Sequence, residues 1–399
     1  MKNKLMRKIK LFLYGWLICC IAFSQTKLSS EAEVSLLTCA PFDEEVYTVY
    51  GHAALRIQDP IQNIDMVFNY GLFSFAKPNF IYRFAKGETD YQLGAINYNN
   101  YIIEYQMRGS SVTEQVLNLH QEEIDRLWSA LLINFMPENR EYRYNFFFDN
   151  CATRPAALIE KYVQGKIDYN DPYPTQTFRS LINYCTRNHP WLTFGCDLAL
   201  GSPTDRMATQ HEMMFLPFYL KEAFANASII DKEGNKRPLI KATEVIESDV
   251  SSEDFQTSVL TSPLLVGWLL FACIALLTYA NWRKKSDGRF INAVLFFIAG
   301  IAGVVLFFIS FISEHPCTCP NWNLLWLHPF HLPAAILFCV KKGKIVIDYY
   351  HFINFAALSL MILGSYFIPQ HINTAFIPLI LTLWMRSGYG VYKKIWIIE

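Results

Sequence analysis

Cys151 and His52 are the residues whose types and settings most directly suggest chemistry. Cys151 lies in Phe146-Phe147-Phe148-Asp149-Asn150-Cys151-Ala152-Thr153-Arg154, where an aromatic run ends and a helical stretch begins. His52 opens Gly51-His52-Ala53-Ala54-Leu55, an alternating segment far upstream. A cysteine at a helix start and a histidine on a neighbouring strand are the minimum set for thiol nucleophilic catalysis. Free N–H groups and the macrodipole at a helix amino end favour a thiolate, and a nearby imidazole favours it further. The same N–H groups can hold an oxyanion on an attacked carbonyl. A lone cysteine among phenylalanines also fits a buried packing thiol, so spacing alone leaves both readings open.

The elements that position these residues are legible around them. Ala53, Leu55 and Ile57 alternate with His52, Ala54, Arg56 and Gln58, which predicts a strand whose polar face carries His52. Asp59-Pro60 through Asn63 is turn chemistry, and Asp65 to Tyr70 alternates again. A hairpin turning near Ile61 sets His52 roughly opposite Asn69 and Tyr70. Asn69 is then a candidate to fix the imidazole tautomer, the third role of a triad; a turn residue before Gly71 is the competing reading. Gln121 to Leu132 has helical spacing with Ile124, Leu127, Trp128 and Leu131 on one core face. Tyr142 to Phe148 reads as strand-like. Asp149 or Asn150 can cap a helix from Cys151 to Tyr162, with Pro155 early enough to be tolerated. Asn150, Tyr70 and Arg154 are candidates for shaping the site or its oxyanion pocket. Arg179 and Asp205 suit a salt bridge better than a headgroup site.

Composition divides the chain. It has 399 residues, 52% hydrophobic, with zero net charge. That length accommodates two domains, and the charge balance argues against nucleic-acid binding, which needs a basic footprint. Residues 25–258 read as a soluble domain and 259–399 as membrane. Five apolar segments lie near 259–282, 290–312, 324–340, 345–367 and 376–392, the third and fifth being short. Basic clusters follow the first, third and fifth: Arg283, Lys284, Lys285 and Arg289; Lys341, Lys342 and Lys344; Lys393 and Lys394. The alternation predicts five crossings, a cytoplasmic carboxyl end and an extracytoplasmic 25–258. Residues 1–24 agree: Lys2, Lys4, Arg7, Lys8 and Lys10 precede an apolar Leu11 to Phe23, the pattern of a secretory signal peptide cleaved near Ser24. An uncleaved anchor is the alternative.

Glu314, His315, Asn321, Asn323, His328 and His331 cluster near the expected outer face. Ionisable groups within a bilayer are costly and often functional; hydration at headgroup level explains them as well. Glu314, His315 and His328 are kept as membrane-face candidates. Trp322 and Trp326 read as interfacial anchors, and Asp348 and His351 as snorkelling groups. Of ten cysteines, Cys185 and Cys196 suit a disulfide in an oxidising compartment, though sequence does not fix pairing. Cys317-Thr318-Cys319 is too isolated to read as a metal site, and no cofactor is called for.

The histidine-first order with an Asn-Cys pair opening a helix resembles the circularly permuted papain-like group that includes the lecithin retinol acyltransferase type. A wider resemblance rests on Leu36-Leu37-Thr38-Cys39-Ala40-Pro41, Tyr50-Gly51-His52, Val67-Phe68-Asn69-Tyr70-Gly71, Phe84-Ala85-Lys86-Gly87 and Asp149-Asn150-Cys151-Ala152-Thr153-Arg154. Thr177-Phe178-Arg179, Leu200-Gly201-Ser202-Pro203-Thr204-Asp205 and Glu314-His315-Pro316 extend it. Together these are similar to the Gram-negative lipoprotein N-acyltransferase family Lnb. Phe42 departs from that pattern, standing where a glycine is expected, with an effect expected on a loop only.

The resemblance implies an α+β permuted papain-like extracytoplasmic domain followed by an α-helical transmembrane bundle of five helices in the inner membrane. It implies His52 as base, Cys151 as nucleophile and, by analogy with the permuted group, Asn69. It also implies a phospholipid acyl donor, a diacylated lipoprotein acceptor and no metal. The alternatives are a cysteine peptidase or amidase of the same fold acting on peptidoglycan, and a non-enzymatic membrane assembly factor.

Overall fold

The computed structural model describes residues 27–43, 45–73, 78–170, 173–248, 261–340 and 343–396. The expected signal segment 1–24, the first residues of the span expected from Val259, and Lys341 and Lys342 lie outside them.

The amino-terminal part is built on an antiparallel sheet. Its first strands are β1 (Glu33–Cys39), β2 (His52–Asp59) and β3 (Ile64–Leu72), followed by helix α1 (Phe80–Lys86), β4 (Asp90–Asn97), α2 (Tyr98–Met107), β5 (Val112–Leu117), α3 (Gln121–Phe135) and β6 (Glu141–Arg143). Next come α4 (Thr153–Tyr162), β7 (Lys166–Asp168), α5 (Phe178–Cys185), α6 (Pro190–Ala199), α7 (Gln210–Met213), α8 (Pro217–Asn226), β8 (Ser228–Ile230), β9 (Lys236–Pro238) and β10 (Ile240–Ile246). The sheet order is β10-β5-β1-β2-β3-β4-β6, and β7, β8 and β9 form a small second sheet.

Helices α3, α4 and α8 cover one face of the large sheet through Ile124, Leu127, Leu131, Ile159, Leu220 and Phe224. Helix α2 covers the other through Tyr101 and Tyr105. The polar face expected on β2 is therefore buried. Arg56 answers burial with ion pairs to Asp65 at 2.8 Å and Glu114 at 2.9 Å, because a buried charge must be paired. The expected hairpin turns at Asp59, whose Oδ1 accepts the N–H groups of Ile61 and Gln62.

The aromatic run before Cys151 is not a strand. Glu141–Arg143 pair with β4, and Asn145 then bridges to Asp149 across a turn in which its Oδ1 accepts the N–H groups of Phe147 and Phe148. Phe147 drops into a separate core with Phe178 and Phe215. Local side-chain capture of backbone overrides strand propensity here.

Among the described residues five α-helices follow: α9 (Pro263–Arg283), α10 (Arg289–Phe311), α11 (His331–Cys339), α12 (Lys344–Leu363) and α13 (Ile377–Trp396). Among the described residues three of them, α9, α10 and α12, are long and apolar enough to cross a membrane. The third apolar segment is split: a short turn at Trp322–Leu325 precedes α11, whose nine residues span about 14 Å against a hydrocarbon core of about 30 Å. In α13 the apolar run is interrupted by Arg386, Lys393 and Lys394.

His351, Trp326, Asn321 and Asn323, expected at the membrane surface, are buried between elements, and so is Arg386. His351 is 3% exposed and does not snorkel. Arg386 is buried and donates to Asn292 Oδ1 and Thr278 Oγ1. Trp326 is buried, its indole N–H on Asn323 Oδ1. Asn323 and Asn321 donate to backbone carbonyls of Asp197 and Leu198, while Gly201 N–H reaches Cys317 O. These bonds fasten the segment after α10 to the end of α6.

Candidate active site

The site lies where β2 begins and β3 ends. Asn150 sets up the turn that presents Cys151. Its Oδ1 accepts the N–H groups of Ala152 and Thr153 at 2.8 and 2.9 Å, and its Nδ2 donates to Phe146 O and Phe215 O. Arg154 N–H closes the first helical turn onto Asn150 O. The helix begins at Thr153 with Ala152 at its N-cap, two residues later than expected from the sequence; Asn150 holds the turn that leads into it, and Cys151 lies in that turn. Every hydrogen-bonding site of the Asn150 amide is used, so it shapes the site and has no donor left for an oxyanion. Cys151 N–H faces its own sulfur, as does Ala53 N–H from β2.

His52 Nε2 lies 2.6 Å from Asn69 Oδ1. An amide oxygen only accepts, so Nε2 carries the proton and Nδ1 is left for the thiol of Cys151. The diagonal placement follows from the ladder: Leu55 pairs with Phe68, so Asn69 shares the face of His52. The Tyr105 ring stacks on the imidazole at 6.4 Å and 12°. Gly71 forms the floor: with φ of 98°, it lies where an added Cβ would be 3.8 Å from Cys151 Cβ and 4.0 Å from His52 Cε1.

Electrostatics favour the ion pair. Burial pushes the Cys151 thiol up, but the adjacent His52, its hydrogen bond and the two backbone N–H groups outweigh burial, and the thiol lies below its ordinary value. Burial pulls the His52 imidazole down, yet Cys151 and then Asn69 bring it above its ordinary value. A thiolate–imidazolium pair at a helix start suits attack on a carbonyl.

The pair opens into a cavity of about 780 Å³, within the range of sites for small organic molecules. Its walls are largely aromatic and aliphatic, with Phe42, Tyr91, Tyr105, Tyr144, Phe146 and Leu216 among them, and the charged Glu104, Arg108, Arg143 and Asp149 also line it. Glu314, His315 and Pro316, from the segment after α10, close its other side.

The other sequence candidates divide. Glu314 and His315 reach the cavity, held by Arg143 at 2.7 Å and by Phe84 O at 2.7 Å. His328 does not: it stacks on His331 at 3.7 Å within the helical bundle and faces Asn354. Tyr70 points to the opposite face of β3 from Asn69, as alternation requires, and its hydroxyl takes the Asn134 amide. Arg154 turns outward to Asp149 and lies 3.5 Å over the Tyr142 ring. Arg179 is buried and held by the carboxylates of Asp197 and Asp205 and the carbonyls of Asp197, Leu200 and Gly201. Cys185 and Cys196 are free thiols, with Cys196 facing the Tyr50 hydroxyl.

Three contributors escaped the sequence. Tyr105 could have been found from its spacing to Tyr101 on α2. Tyr144 packs on Tyr91 at 4.4 Å, and burial, with the charge of Cys151 behind it, pushes its hydroxyl up, keeping it protonated beside the site. Phe42 is not merely a loop residue: it is buried, meets Tyr105 at 6.3 Å and walls the cavity. Among the described residues no three His, Cys, Asp or Glu side chains gather as metal ligands would.

Fold and site together define a membrane protein whose amino-terminal α+β part carries a buried cysteine–histidine pair beside its helical part. Two family models match the chain: the Lnb N-terminal periplasmic domain over residues 23–184 and the Lnb transmembrane domain over residues 254–395. The chain belongs to the Lnb family, and its amino-terminal part is periplasmic. Comparison with curated proteins and with solved structures finds no significant match.

Proposed function

We propose that this protein is a lipoprotein N-acyltransferase of the inner membrane, with a permuted papain-like domain on its outer face and a multi-pass helical part. The single observation that carries the reading is the Cys151–His52 pair opening into an apolar cavity bordered by Glu314 and His315 at the end of a membrane-crossing helix. Family membership supports the reaction class.

His52 Nδ1 takes the Cys151 proton. The thiolate attacks an acyl ester carbonyl of a phospholipid, and Cys151 N–H stabilises the oxyanion. As the tetrahedral centre collapses, the ester C–O bond breaks. His52 returns its proton to the departing lysophospholipid oxygen, and a thioester remains. The α-amine of a diacylglyceryl-cysteine then attacks the thioester carbonyl, passing a proton to His52. The C–S bond breaks, the amide forms, and the thiolate–imidazolium pair is restored. No net proton is consumed.

Asn69 holds Nε2 so that Nδ1 faces the sulfur throughout. The apolar walls receive the acyl chain and exclude water, which would otherwise hydrolyse the thioester.

The test is Cys151→Ala in the full chain, with mass spectrometry of lipoprotein amino termini. Loss of N-acylation is expected, together with loss of the mass increment that an acyl thioester adds to the Cys151 peptide. Full acylation by the alanine variant ends the proposal. Cleavage of cell-wall peptides by the lipid-free protein would replace it with a peptidase.

A further inference from the structure

We propose that α1 is an in-plane membrane helix, seated in the outer leaflet, and that it forms the wall across which an acyl chain passes from bilayer to cavity. The second half of this rests on the acyltransferase reading; the first does not. Helix α1 buries none of its residues. Ile81 is 83% exposed and Tyr82 58%, an apolar face that a folded protein leaves open only where something else covers it.

Position identifies the cover. The Tyr82 ring lies 6.4 Å from Phe308 of α10. Phe308 is within one turn of the outer end of α10 at Phe311, about 4.5 Å of helix rise. The carboxyl end of α1 is fastened at the same level: Lys86 O accepts Glu314 N–H at 2.7 Å, and Phe84 O meets His315 Nε2 at 2.7 Å. An added Cβ on Gly87 would stand 2.8 Å from His315 N, so the two backbones are in direct contact. The exposed face of α1 thus continues the lipid-facing surface of a membrane-crossing helix at its outer end. That is the headgroup–acyl boundary where amphipathic helices rest.

The charges agree. Arg83 and Lys86 turn back to Glu88 and Asp90 on the protein side, leaving Ile81 and Tyr82 on an uncharged flank. Phe84, one turn on, lines the cavity that holds Cys151. Ile81 and Phe84 share a flank, so the lipid-facing flank of α1 runs one turn along into the mouth of the reaction cavity.

The test uses the full chain in phosphatidylethanolamine–phosphatidylglycerol vesicles containing a phospholipid with a photoactivatable acyl chain. Illumination is expected to label the 80–86 peptide in both the native protein and Cys151→Ala. Replacing Ile81 and Tyr82 together by Asp should abolish that label. It should also slow acylation of Cys151 by vesicle phospholipid roughly tenfold or more, the scale of losing buried apolar side chains. Alkylation of Cys151 by water-soluble iodoacetamide should be unchanged, which separates lost lipid access from misfolding; Ile81→Leu with Tyr82→Phe should behave as native. Label on α10 with none on α1 overturns the docking surface. Unslowed acylation in the Asp variant overturns the portal. Labelled α1 with native Cys151 never acylated overturns the acyltransferase reading and the portal with it, and supports the docking surface alone.

Discussion

Cys39 and Cys151 are both buried thiols, and both stand next to His52. Cys39 is even its ladder partner, directly across from it on β1. Yet their chemistry diverges. Cys39 is pushed up to about 12, because burial outweighs the lowering hydrogen bonds from the hydroxyls of Tyr101 and Tyr105. Cys151 goes the other way, because it has the imidazole and two backbone N–H groups. Adjacency to a histidine is therefore not enough. The imidazole has two nitrogens: Asn69 takes one and Cys151 the other, leaving nothing for Cys39. Burial with a cationic partner and oriented N–H groups makes a thiolate; burial among phenols makes an inert thiol.

The strongest way to break this contrast is His52→Ala. It should turn Cys151 into a second Cys39. Acyl transfer should fall by roughly 10²–10⁴, the usual worth of a positioned general base. Iodoacetamide alkylation reports the cause. In the native protein the ion pair forms as pH rises through the lowered thiol pKa, and it ends when His52 deprotonates above its raised value. Alkylation should thus be fast at neutral pH. Without His52, burial is opposed only by the N–H groups, the thiol pKa rises, and rapid alkylation should move to alkaline pH. An unchanged profile in the variant would mean that His52 does not activate Cys151.

Asn69→Ala should produce a smaller version of the same shift. One hydrogen bond to the ring is lost, worth about 0.5–1.5 kcal/mol, so acyl transfer should drop by up to roughly tenfold. The alkylation profile should move upward by less than in His52→Ala. A loss as deep as that of His52→Ala would show that Asn69 does more than orient the ring.

The same contrast explains what the sequence could and could not reveal. The positions of Cys151, His52 and Asn69 were legible because each is placed by local pattern: an Asn-held turn into a helix for Cys151, strand alternation and a tight hairpin for the other two. Tyr70 and Arg154 were misplaced because closeness in sequence is not a shared face. Tyr70 is one residue from Asn69 and so points to the opposite side of β3, while Arg154 leaves the first turn of α4 toward Asp149. Tyr105 on α2 and Phe42 and Tyr144 in two separate loops meet only in the folded cavity, so no window of sequence contains them together. In the helical part, apolar composition over 324–340 reads as a span. There the fold breaks the chain into a short turn and α11, because Asn321 and Asn323 bond the amino-terminal part.

Cys39→Ala is the smallest perturbation and the sharpest control. The substitution removes a buried sulfur and its 3.1 Å contact with the Tyr101 hydroxyl, a stability cost of about 1–2 kcal/mol visible as a lower Tm. Acyl transfer and the alkylation profile of Cys151 should stay within roughly twofold of native, since a thiol held near 12 carries no charge at neutral pH. A large change in the Cys151 profile would mean that the two thiols compete for His52 after all. The division of its two nitrogens between Asn69 and Cys151 would then be wrong.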